Sequence, residues 1–467
     1  MKIMHKLLLI ALLISFSSCI SNAQQPNIIF IMVDDLRPEL GCYGNTQIKS
    51  PNIDKLALEA TLFNNAYCNI PVCGASRASL LTGILPTKTR FVQYNSTASK
   101  DVPNAKTLPQ VFKESGYNTY SVGKIFHDNN DTNTQSWSEP AWRYQGEDYN
   151  SMLSQDPTSL EKMSKKNRGR IYEMPEVDDY KYNDGQTALK TIELLKNHKK
   201  GDKPFFIACG FIRPHLPFYA PKKYWDLYNR DSITLAKNRY KPINAPLSLH
   251  GSGEFRNYHL DDLKIKSDAF RKMMKHGYYA SVSYTDKLIG DVLNEIKSLE
   301  LEENTIIILW GDHGWQLGEH DYWGKHNTMH VSLRVPLIIK VPSQSKALKS
   351  KAIIETTDIF PTLCDLAGIN PPKNQLHGKS FTKLLNKPNA KFRKYAYSRF
   401  LAGDAIVTDR YAYTHYTGKK DEIMLYDHEN DLEENENVAM KPEYKHVIEE
   451  MEGFLQSSKK RALNMHK

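Results

Sequence analysis

The sequence predicts an α/β protein, with a large β-sheet between helices and a smaller antiparallel sheet plus helix near the C terminus. Apolar stretches rich in β-branched residues are typical of strands buried on both faces, and three occur at 26–33, 204–211 and 304–310. Another strand is predicted at 117–122, which makes it the second in chain order. Helical patterns separate them, the longest at 268–299. Beyond Pro371 and Pro372 the pattern changes to alternation of apolar and polar residues, followed by a helix near 444–455.

Shorter elements can be placed from the signals at their ends. Helices are predicted at 52–61, 73–83, 107–115, 183–198 and 358–367, and a further strand at 335–341. Gly83 and Gly116 stand where two of these helices should end. Alternating strands are predicted at 395–400, 405–416 and 422–426. The polar stretch 128–179 lacks clear periodicity, so we interpret it as a loop region that faces the substrate.

The N terminus is predicted to be a secretory signal peptide. Two lysines precede an apolar run at 7–14, and small residues follow. A small-x-small triplet ends at Ala23, so we expect cleavage there and a signal peptide at 1–23. A second interpretation is a bacterial lipobox ending at Cys19, although Phe16 stands where leucine is usual. Both interpretations predict an exported protein that is periplasmic or secreted, lipid-anchored at Cys19 in the second.

The charge of the chain is mildly basic. With 62 basic and 53 acidic residues the formal net charge is +9, and loss of the two leader lysines (9 − 2) leaves +7. Such an excess suits an acidic substrate but equally suits a solvated surface. The basic residues are scattered and match no nucleic-acid-binding module, so no nucleic-acid partner is expected. No stretch after the leader is long enough for a transmembrane segment.

Acidic residues follow two of the predicted strands. Asp34 and Asp35 come after the first strand, and Asp312-His313 after the fourth. Ligand sites in open α/β sheets lie at the carboxyl ends of strands. Paired carboxylates repel one another unless a cation neutralises them, and Ca²⁺ is the simplest occupant. The alternative for the Asp pair is that it caps the next turn.

A cysteine motif is the centre of the predicted site. Cys73-x-Ala75-x-Arg77 is followed by Leu-Leu-Thr and Gly83, which indicates a loop entering a helix. Cys73 would lie at the positive end of the helix dipole, where an anion is stabilised. The alternative is a buried structural cysteine, because free cysteines are among the most buried residues.

Basic side chains follow the other predicted strands. Lys124 and His127 come after the second strand, and His215 lies between two prolines after the third. Lys325 follows a short loop beyond the fourth strand. A lone histidine in such a position is more often structural than catalytic, so the prediction depends on the whole set.

Together these features resemble the type I, formylglycine-dependent sulfatases. The resemblance is closest to the iduronate-2-sulfatase branch, on the blocks VGKIFH at 122–127, YASVSY at 279–284 and GDHGWQLGEH at 311–320. It implies the alkaline phosphatase-like fold, in which a large mixed sheet lies between helices. It also implies a catalytic domain at 24–370 and a C-terminal subdomain at 371–467. Possible activity on the algal polysaccharide ulvan is a further implication, because exported bacterial members break down polysaccharides.

The resemblance also implies a cofactor and a set of roles. One Ca²⁺ per chain would be held by Asp34, Asp35, Asp312, His313 and Cys73, the last converted to formylglycine by a maturating enzyme. The implied catalytic residues are Cys73, Arg77, Lys124, His127, His215 and Lys325. Arg77 and Lys124 would favour the ionised aldehyde hydrate as nucleophile. Lys325 and His215 would hold the sulfate and offset charge on the leaving oxygen, and His127 would take a proton.

One position departs from the common family pattern. Many members have Asp-Asn-Gly where this chain has Asp312-His313-Gly314, and imidazole is an unusual ligand for a hard cation. The iduronate-2-sulfatase branch shares this histidine, so Ca²⁺ remains the predicted metal.

The substrate implied is a sulfated, uronic-acid-containing polysaccharide or oligosaccharide. Arg90 and Arg213 are candidates to bind an acidic sugar, with surface roles as the alternative. We favour an ulvan-type algal polysaccharide over iduronate 2-sulfate in glycosaminoglycans.

Two rival functions remain at this stage. A phosphomonoesterase or phosphodiesterase of the same superfamily would use Ser or Thr with His-rich zinc ligands, which the cysteine motif and the Asp-rich site disfavour. A non-catalytic glycan-binding protein would need neither Lys124 nor His127 in the site.

Overall fold

The computed structural model describes residues 25–145, 168–198, 203–342 and 344–464. The predicted signal peptide at 1–23 and its processing sites lie outside this range, as does part of the predicted loop region, at 146–167. None of the helices in the described part combines the length and apolar character needed to cross a bilayer.

The described residues form two main β-sheets. The strands are β1 (Asn27–Val33), β2 (Thr61–Tyr67), β3 (Asn118–Gly123), β4 (Tyr172–Glu173), β5 (Phe205–Phe211), β6 (Phe218–Tyr219), β7 (Thr305–Gly311), β8 (Gln316–Leu317), β9 (Trp323–Gly324), β10 (Arg334–Lys340), β11 (Leu348–Glu355), β12 (Ala396–Phe400), β13 (Gly403–Val407), β14 (Tyr411–Tyr416) and β15 (Glu422–Asp427). The large sheet has the order β11-β2-β10-β7-β1-β5-β3, and the small one the order β12-β13-β14-β15.

The centre of the large sheet is buried on both faces, as the apolar runs predict. In β1, Ile28, Phe30 and Met32 point into one hydrophobic core, whereas Ile29 and its alternate neighbours point into the other. Side chains alternate between the faces of a strand, so a strand covered on both sides must be apolar throughout. β1 pairs in parallel with β5 and β7, and β3 pairs in parallel with β5. The predicted parallel core is therefore confirmed.

Helices cover both faces of this sheet. The helices are α1 (Pro51–Ala57), α2 (Cys73–Thr82), α3 (Ala98–Asp101), α4 (Leu108–Glu114), α5 (Asn133–Ser136), α6 (Asn183–Asn197), α7 (Lys222–Trp225), α8 (Asp268–Ser298), α9 (His330–Leu333), α10 (Ile359–Leu366), α11 (Thr382–Asn386) and α12 (Lys445–Leu463). The helix predicted at 107–115 is confirmed as α4, where Thr107 and Gln110 form a reciprocal capping box.

Two strands of the large sheet, β2 and β11, were not predicted from the sequence. Two asparagines, Asn64 and Asn65, interrupt the apolar pattern of β2. β11 lies at the edge of the sheet, carries exposed lysines and shifts register between Ser350 and Ile353. β10 runs antiparallel to both β2 and β7, which makes the sheet mixed.

The C-terminal sheet is antiparallel and packs on the last helix. Tyr397, Ile406, Tyr413 and Leu425 contribute one residue from each strand to a core that α12 completes. The single strand predicted at 405–416 is two strands, β13 and β14. The turn between them is stabilised by Thr408 Oγ1, which accepts hydrogen bonds from the backbone N–H groups of residues 410 and 411.

A buried carboxylate joins the two sheets. Glu355 ends β11 and accepts hydrogen bonds from Arg461 of α12, at 2.7 and 2.9 Å, and from the backbone N–H of Tyr397 in β12. Arg393 lies 3.6 Å from the same carboxylate. Burial alone would raise the pKa of Glu355, but Arg393 and Arg461 hold it below its ordinary value.

We expect the substitution Glu355→Gln to lower the free energy of unfolding by about 3 kcal/mol, because it leaves Arg461 without its carboxylate partner and Arg393 with Asp358 alone. The matched control is Glu114→Gln, which breaks an exposed pair with Lys106 and should cost no more than about 1 kcal/mol. Denaturant titration of both variants measures the difference. Equal costs would contradict a role for Glu355 in docking the C-terminal sheet.

Candidate active site

The predicted site residues meet at the carboxyl ends of the parallel strands. Asp34 and Asp35 follow β1, Lys124 follows β3, His215 follows β5, and Asp312 and His313 follow β7. Cys73 begins α2, and Lys325 directly follows β9. Since neighbouring parallel strands end at the same edge of a sheet, residues far apart in sequence become neighbours.

The start of α2 holds Cys73 in place. The preceding residue, Val72, is extended (φ −147°, ψ 121°), and no side chain caps the helix. A Cβ on Gly74 would lie 1.8 Å from the carbonyl oxygen of Tyr94, so only glycine lets the loop at Tyr94 pack against this helix start. The Cys73 side chain is buried, with 4% of its surface exposed. Burial and the nearby Asp34 raise the pKa of its thiol, so the unmodified cysteine is not an activated thiolate here.

All five predicted metal ligands lie close together. Asp34, Cys73, Asp312 and His313 each offer a ligand atom, and these atoms all lie within 4.8 Å of one another. Asp35 forms a similar group with Cys73 and His215, and its backbone N–H donates to Asp312 Oδ1 at 3.1 Å.

The chemistry of this donor set fits a divalent cation. His313 Nδ1 lies 3.0 Å from the carbonyl oxygen of Gly314, which can only accept, so Nδ1 carries the hydrogen and Nε2 presents a lone pair. Among the described residues, neither His313 Nε2 nor Asp34 Oδ1 has a hydrogen-bond partner. His313 Nε2 lies 3.4 Å from Asp35 Oδ1 and 3.6 Å from Asp312 Oδ1. Buried acceptor atoms that converge without a hydrogen-bond partner suit a cation bound among them.

Two basic side chains, Arg77 and Lys124, pair with carboxylates of the acidic cluster on one side. Arg77 is fully buried, and its Nε donates to Asp312 Oδ2 at 2.8 Å while Nη1 donates to the carbonyl oxygen of Ile125 at 3.2 Å. Lys124 Nζ donates to Asp34 Oδ2. Burial by itself would raise the pKa of Asp34, but Lys124 and the other surrounding cations hold it well below its ordinary value.

A second pair of cations lies on the other side, bridged by a glutamate. Lys325 Nζ donates to Asp35 Oδ1 at 2.9 Å and lies 2.9 Å from Glu254 Oε2. His215 Nε2 lies 3.2 Å from Glu254 Oε1 and 3.9 Å from Asp35 Oδ2. Burial and Lys325 oppose protonation of His215, but Asp35, Asp34 and Glu254 outweigh them and raise its pKa to about 10. These carboxylates favour the protonated form of His215.

His127 has the opposite character. It is partly buried against the edge of the Tyr94 ring, with the ring centroids 5.6 Å apart, and its Nδ1 has no hydrogen-bond partner among the described residues. Burial, followed by the charges of Lys124 and Arg77, lowers the pKa of His127 to about 3. The ring is therefore neutral at physiological pH and can accept a proton.

A cavity of about 400 Å³ opens onto these groups. Its inner wall consists of Cys73, Lys124, His127, His215, Glu254 and Lys325. Its mouth includes Tyr94, which is 58% exposed, and Phe400 and Leu401 from the hairpin between β12 and β13. The size lies in the range of small-molecule sites, and the basic inner wall suits an anionic ligand.

Several residues of the cavity were not predicted. Glu254 lies in an irregular segment before α8, where no periodicity distinguishes it from surface residues. The His326 ring stacks on Phe400, with centroids 5.6 Å apart, and its Nδ1 lies 2.8 Å from Ser252 Oγ. Arg168 also lines the cavity, and it belongs to the stretch predicted to face the substrate.

The two arginines predicted to bind substrate lie outside the cavity lining. Arg90 donates to the carbonyl oxygens of Leu85 and Ala462, which ties its loop to the end of α12. Arg213 is buried, donates to the carbonyl oxygen of His215 at 3.1 Å and lies over the Tyr219 ring. Because both guanidinium groups are engaged inside the protein, the prediction that they contact substrate is not supported, and each instead positions a loop.

Comparisons with known proteins agree with this geometry. A protein-family model described as sulfatase matches residues 26–369, and one described as the C-terminal part of N-sulphoglucosamine sulphohydrolase matches 318–461. Iduronate 2-sulfatase of Homo sapiens is 35% identical over 386 residues, covering 74% of this chain and 70% of that protein. An ulvan-active sulfatase of Formosa agariphila is 31% identical over 477 residues, covering 96% and 85%. A solved complex with D-glucosamine-2-N,6-O-disulfate superposes with a TM-score of 0.74 at 24% identity, covering 95% of this chain and 100% of the other.

Proposed function

Because this chain belongs to the sulfatase family and has its alkaline phosphatase-like fold, we propose that it hydrolyses sulfate esters of a sulfated, uronic-acid-containing glycan. The observation that carries the proposal is the meeting of Cys73, four further ligand-type side chains and a basic wall at the base of one cavity. A sulfate ester is a compact anion, and the lysines and the protonated His215 around the cavity complement its charge.

The proposal includes two groups added to the chain. Conversion of Cys73 to formylglycine is a two-electron oxidation with loss of the sulfur, and a maturating enzyme would have to supply the oxidant. The hydrate of the resulting aldehyde would carry two hydroxyl groups, one to attack sulfur and one whose deprotonation would release sulfate. Asp34, Asp35, Asp312, His313 and the modified Cys73 would hold one Ca²⁺, and the chemistry it would supply there is that of a Lewis acid. The unpartnered Asp34 Oδ1 and His313 Nε2 support this assignment.

The surrounding side chains are proposed to bind sulfate, stabilise the nucleophile and transfer a proton. Lys325 and His215 bind the sulfate and stabilise negative charge on the leaving oxygen, and Glu254 keeps both in position. Arg77 and Lys124 stabilise an anion at position 73. His127, which is neutral and lines the cavity, accepts a proton when sulfate is released.

The sugar is proposed to be of the ulvan type. The match to the ulvan-active sulfatase spans nearly the whole chain, whereas the match to iduronate 2-sulfatase is more identical but shorter. Arg168 at the cavity supports recognition of a uronic acid, because a guanidinium group pairs with a carboxylate in a bidentate manner. Iduronate 2-sulfate in glycosaminoglycans is the alternative.

The boundaries of the protein are part of the same proposal. The signal peptide at 1–23 exports the chain, with lipid attachment at Cys19 as the alternative. Residues 24–370 form the catalytic domain, and residues 371–467 form a subdomain whose hairpin residues Phe400 and Leu401 reach the cavity mouth.

Sulfate release from defined oligosaccharides tests the proposed function. With protein purified from a host that matures sulfatases, we expect ion chromatography to detect free sulfate from ulvan oligosaccharides, and less from iduronate 2-sulfate disaccharides. Phosphate monoesters and diesters serve as the control. Faster release of phosphate than of sulfate would overturn the proposal, and faster turnover of iduronate 2-sulfate would reassign the sugar.

A further inference from the structure

Two segments of the chain are basic and contain no acidic residue. Residues 344–354 and 366–403 contain eleven lysines and arginines and no aspartate or glutamate. The rest of the chain therefore holds 51 basic residues (62 − 11) against all 53 acidic ones. The basic residues are spread along the whole chain, as predicted, but the net excess coincides with these two segments, which lack acidic residues.

The fold brings these two segments together. β11 is the edge strand of the large sheet, and Ser350 Oγ donates to the carbonyl oxygen of Pro388 at 2.7 Å, which fixes residues 388–394 beside it. Nine lysines of the two segments are exposed: Lys346, Lys349, Lys351, Lys373, Lys379, Lys383, Lys387, Lys391 and Lys394. None of the nine forms an ion pair with any residue that the structure describes.

A groove runs through this basic edge, with a volume of about 710 Å³. Lys351, Lys391 and Lys394 line it together with the aromatic rings of Phe392, Tyr411 and Phe454. We refer to these six residues as the basic groove. Its walls are already ordered, because Tyr395 stacks on Phe454 with centroids 4.5 Å apart and Arg393 is held by Asp358. The groove also contains Asp409 and Glu450, so it is not uniformly positive.

The basic groove and the active-site cavity share no lining residue, yet one short strand connects them. β12 begins two residues after Lys394 and ends at Phe400, which lines the cavity mouth. Six residues of extended chain span no more than roughly 20 Å. A polymer chain bound in the basic groove could therefore also reach the cavity.

We propose that the basic groove is an accessory site that binds a segment of a sulfated polysaccharide away from the active-site cavity. This inference rests on the proposed function for its choice of ligand. Exposed lysines attract the sulfate and carboxylate groups of the polysaccharide, and aromatic rings pack against the apolar faces of its sugars. Simultaneous binding at two sites raises the local concentration of sulfate esters at the cavity.

Charge reversal of the three groove lysines tests the inference. The groove variant is K351E/K391E/K394E, and the matched control is K55E/K100E/K297E, which changes the same number of exposed lysines elsewhere. For the groove variant we expect the KM for ulvan polymer to rise at least about tenfold. The kcat/KM for a small aryl sulfate should stay within about twofold, because no residue of the cavity is changed. The control should leave both unchanged.

Binding measurements separate failure of this inference from failure of the proposed function. Calorimetric titration of ulvan polymer into both variants requires no turnover, so the groove can be tested even if no sulfate is released. Equal affinities for the groove variant and the control would overturn the inference and indicate that the lysines only shield an edge strand from aggregation. If the groove variant lost as much affinity for duplex DNA or for phosphatidylglycerol vesicles as for ulvan, the choice of a glycan would be overturned. If desulfated ulvan bound as tightly as ulvan, the choice of a sulfated ligand would be overturned.

Discussion

Sulfatase turnover should fall at least about a thousandfold when Cys73 is replaced by alanine. The variant removes the side chain from which the proposed nucleophile is made, and no other residue in the described lining of the cavity offers a group at that position. Cys73 is small, buried and at the first turn of α2, so alanine should fit with little loss of stability. Sulfate release measured beside thermal unfolding distinguishes loss of chemistry from loss of fold.

Cys68 provides a matched control in the same proteolytic fragment. Cleavage after Lys55 and Arg77 yields a peptide, residues 56–77, that contains both cysteines. Cys68 is buried, with its Sγ 3.8 Å from the carbonyl oxygen of Ser332, and lies outside the cavity lining. Conversion to formylglycine replaces one sulfur with oxygen and removes two hydrogens. Mass spectrometry should find this change in wild type and in Cys68→Ala, but not in Cys73→Ala. An active enzyme whose Cys73 is unmodified would contradict the mechanism.

Removal of the metal should abolish activity and lower the thermal midpoint by several degrees. A ligand present at 100 times its Kd stabilises a folded protein by about 2.7 kcal/mol, and its loss also restores repulsion among buried acceptors at Asp34, Asp35 and His313. We expect dialysis against a chelator to lower kcat at least about a hundredfold. Adding Ca²⁺ should restore both the activity and the thermal midpoint.

If His313 is a metal ligand as proposed, its imidazole should influence which metal fits the site. His313→Ala should weaken Ca²⁺ binding, whereas His313→Asn, the residue common at this position in related sulfatases, should retain it because an amide oxygen is a harder ligand. Elemental analysis of the purified variants and reconstitution with Ca²⁺, Mg²⁺, Mn²⁺ or Zn²⁺ measure this. Full activity after exhaustive chelation, with no metal bound, would refute the metal site. Restoration by Zn²⁺ alone would show that the imidazole selects a softer ion.

The sequence predicted the centre of the fold well because burial on both faces leaves a direct record in composition. β1, β5 and β7 are continuous apolar runs, and each ends at a glycine, a charged residue or a proline-flanked turn. The edge strand β11 shows no such apolar pattern. β11 is half exposed and rich in lysine, so its pattern resembles that of a surface loop.

Long-range contacts account for what the sequence did not predict in the site. Glu254 and Arg168 come from irregular segments and acquire their positions only through packing around the cavity. Arg90 and Arg213 had the right charge for an acidic sugar, but the fold uses both to hold backbone carbonyl oxygens.

By itself, then, the sequence determined several strand ends and the chemistry near them: acidic residues after β1 and β7, basic residues after β3 and β5, and a motif cysteine where a helix begins. It could do so because local pattern sets where a strand stops, and parallel strands stop at a common edge. The tertiary structure alone decided which basic residues face the cavity, which glutamate bridges them and how two acid-free segments meet at the basic groove. Those outcomes depend on contacts between residues distant in the chain, which no local pattern records.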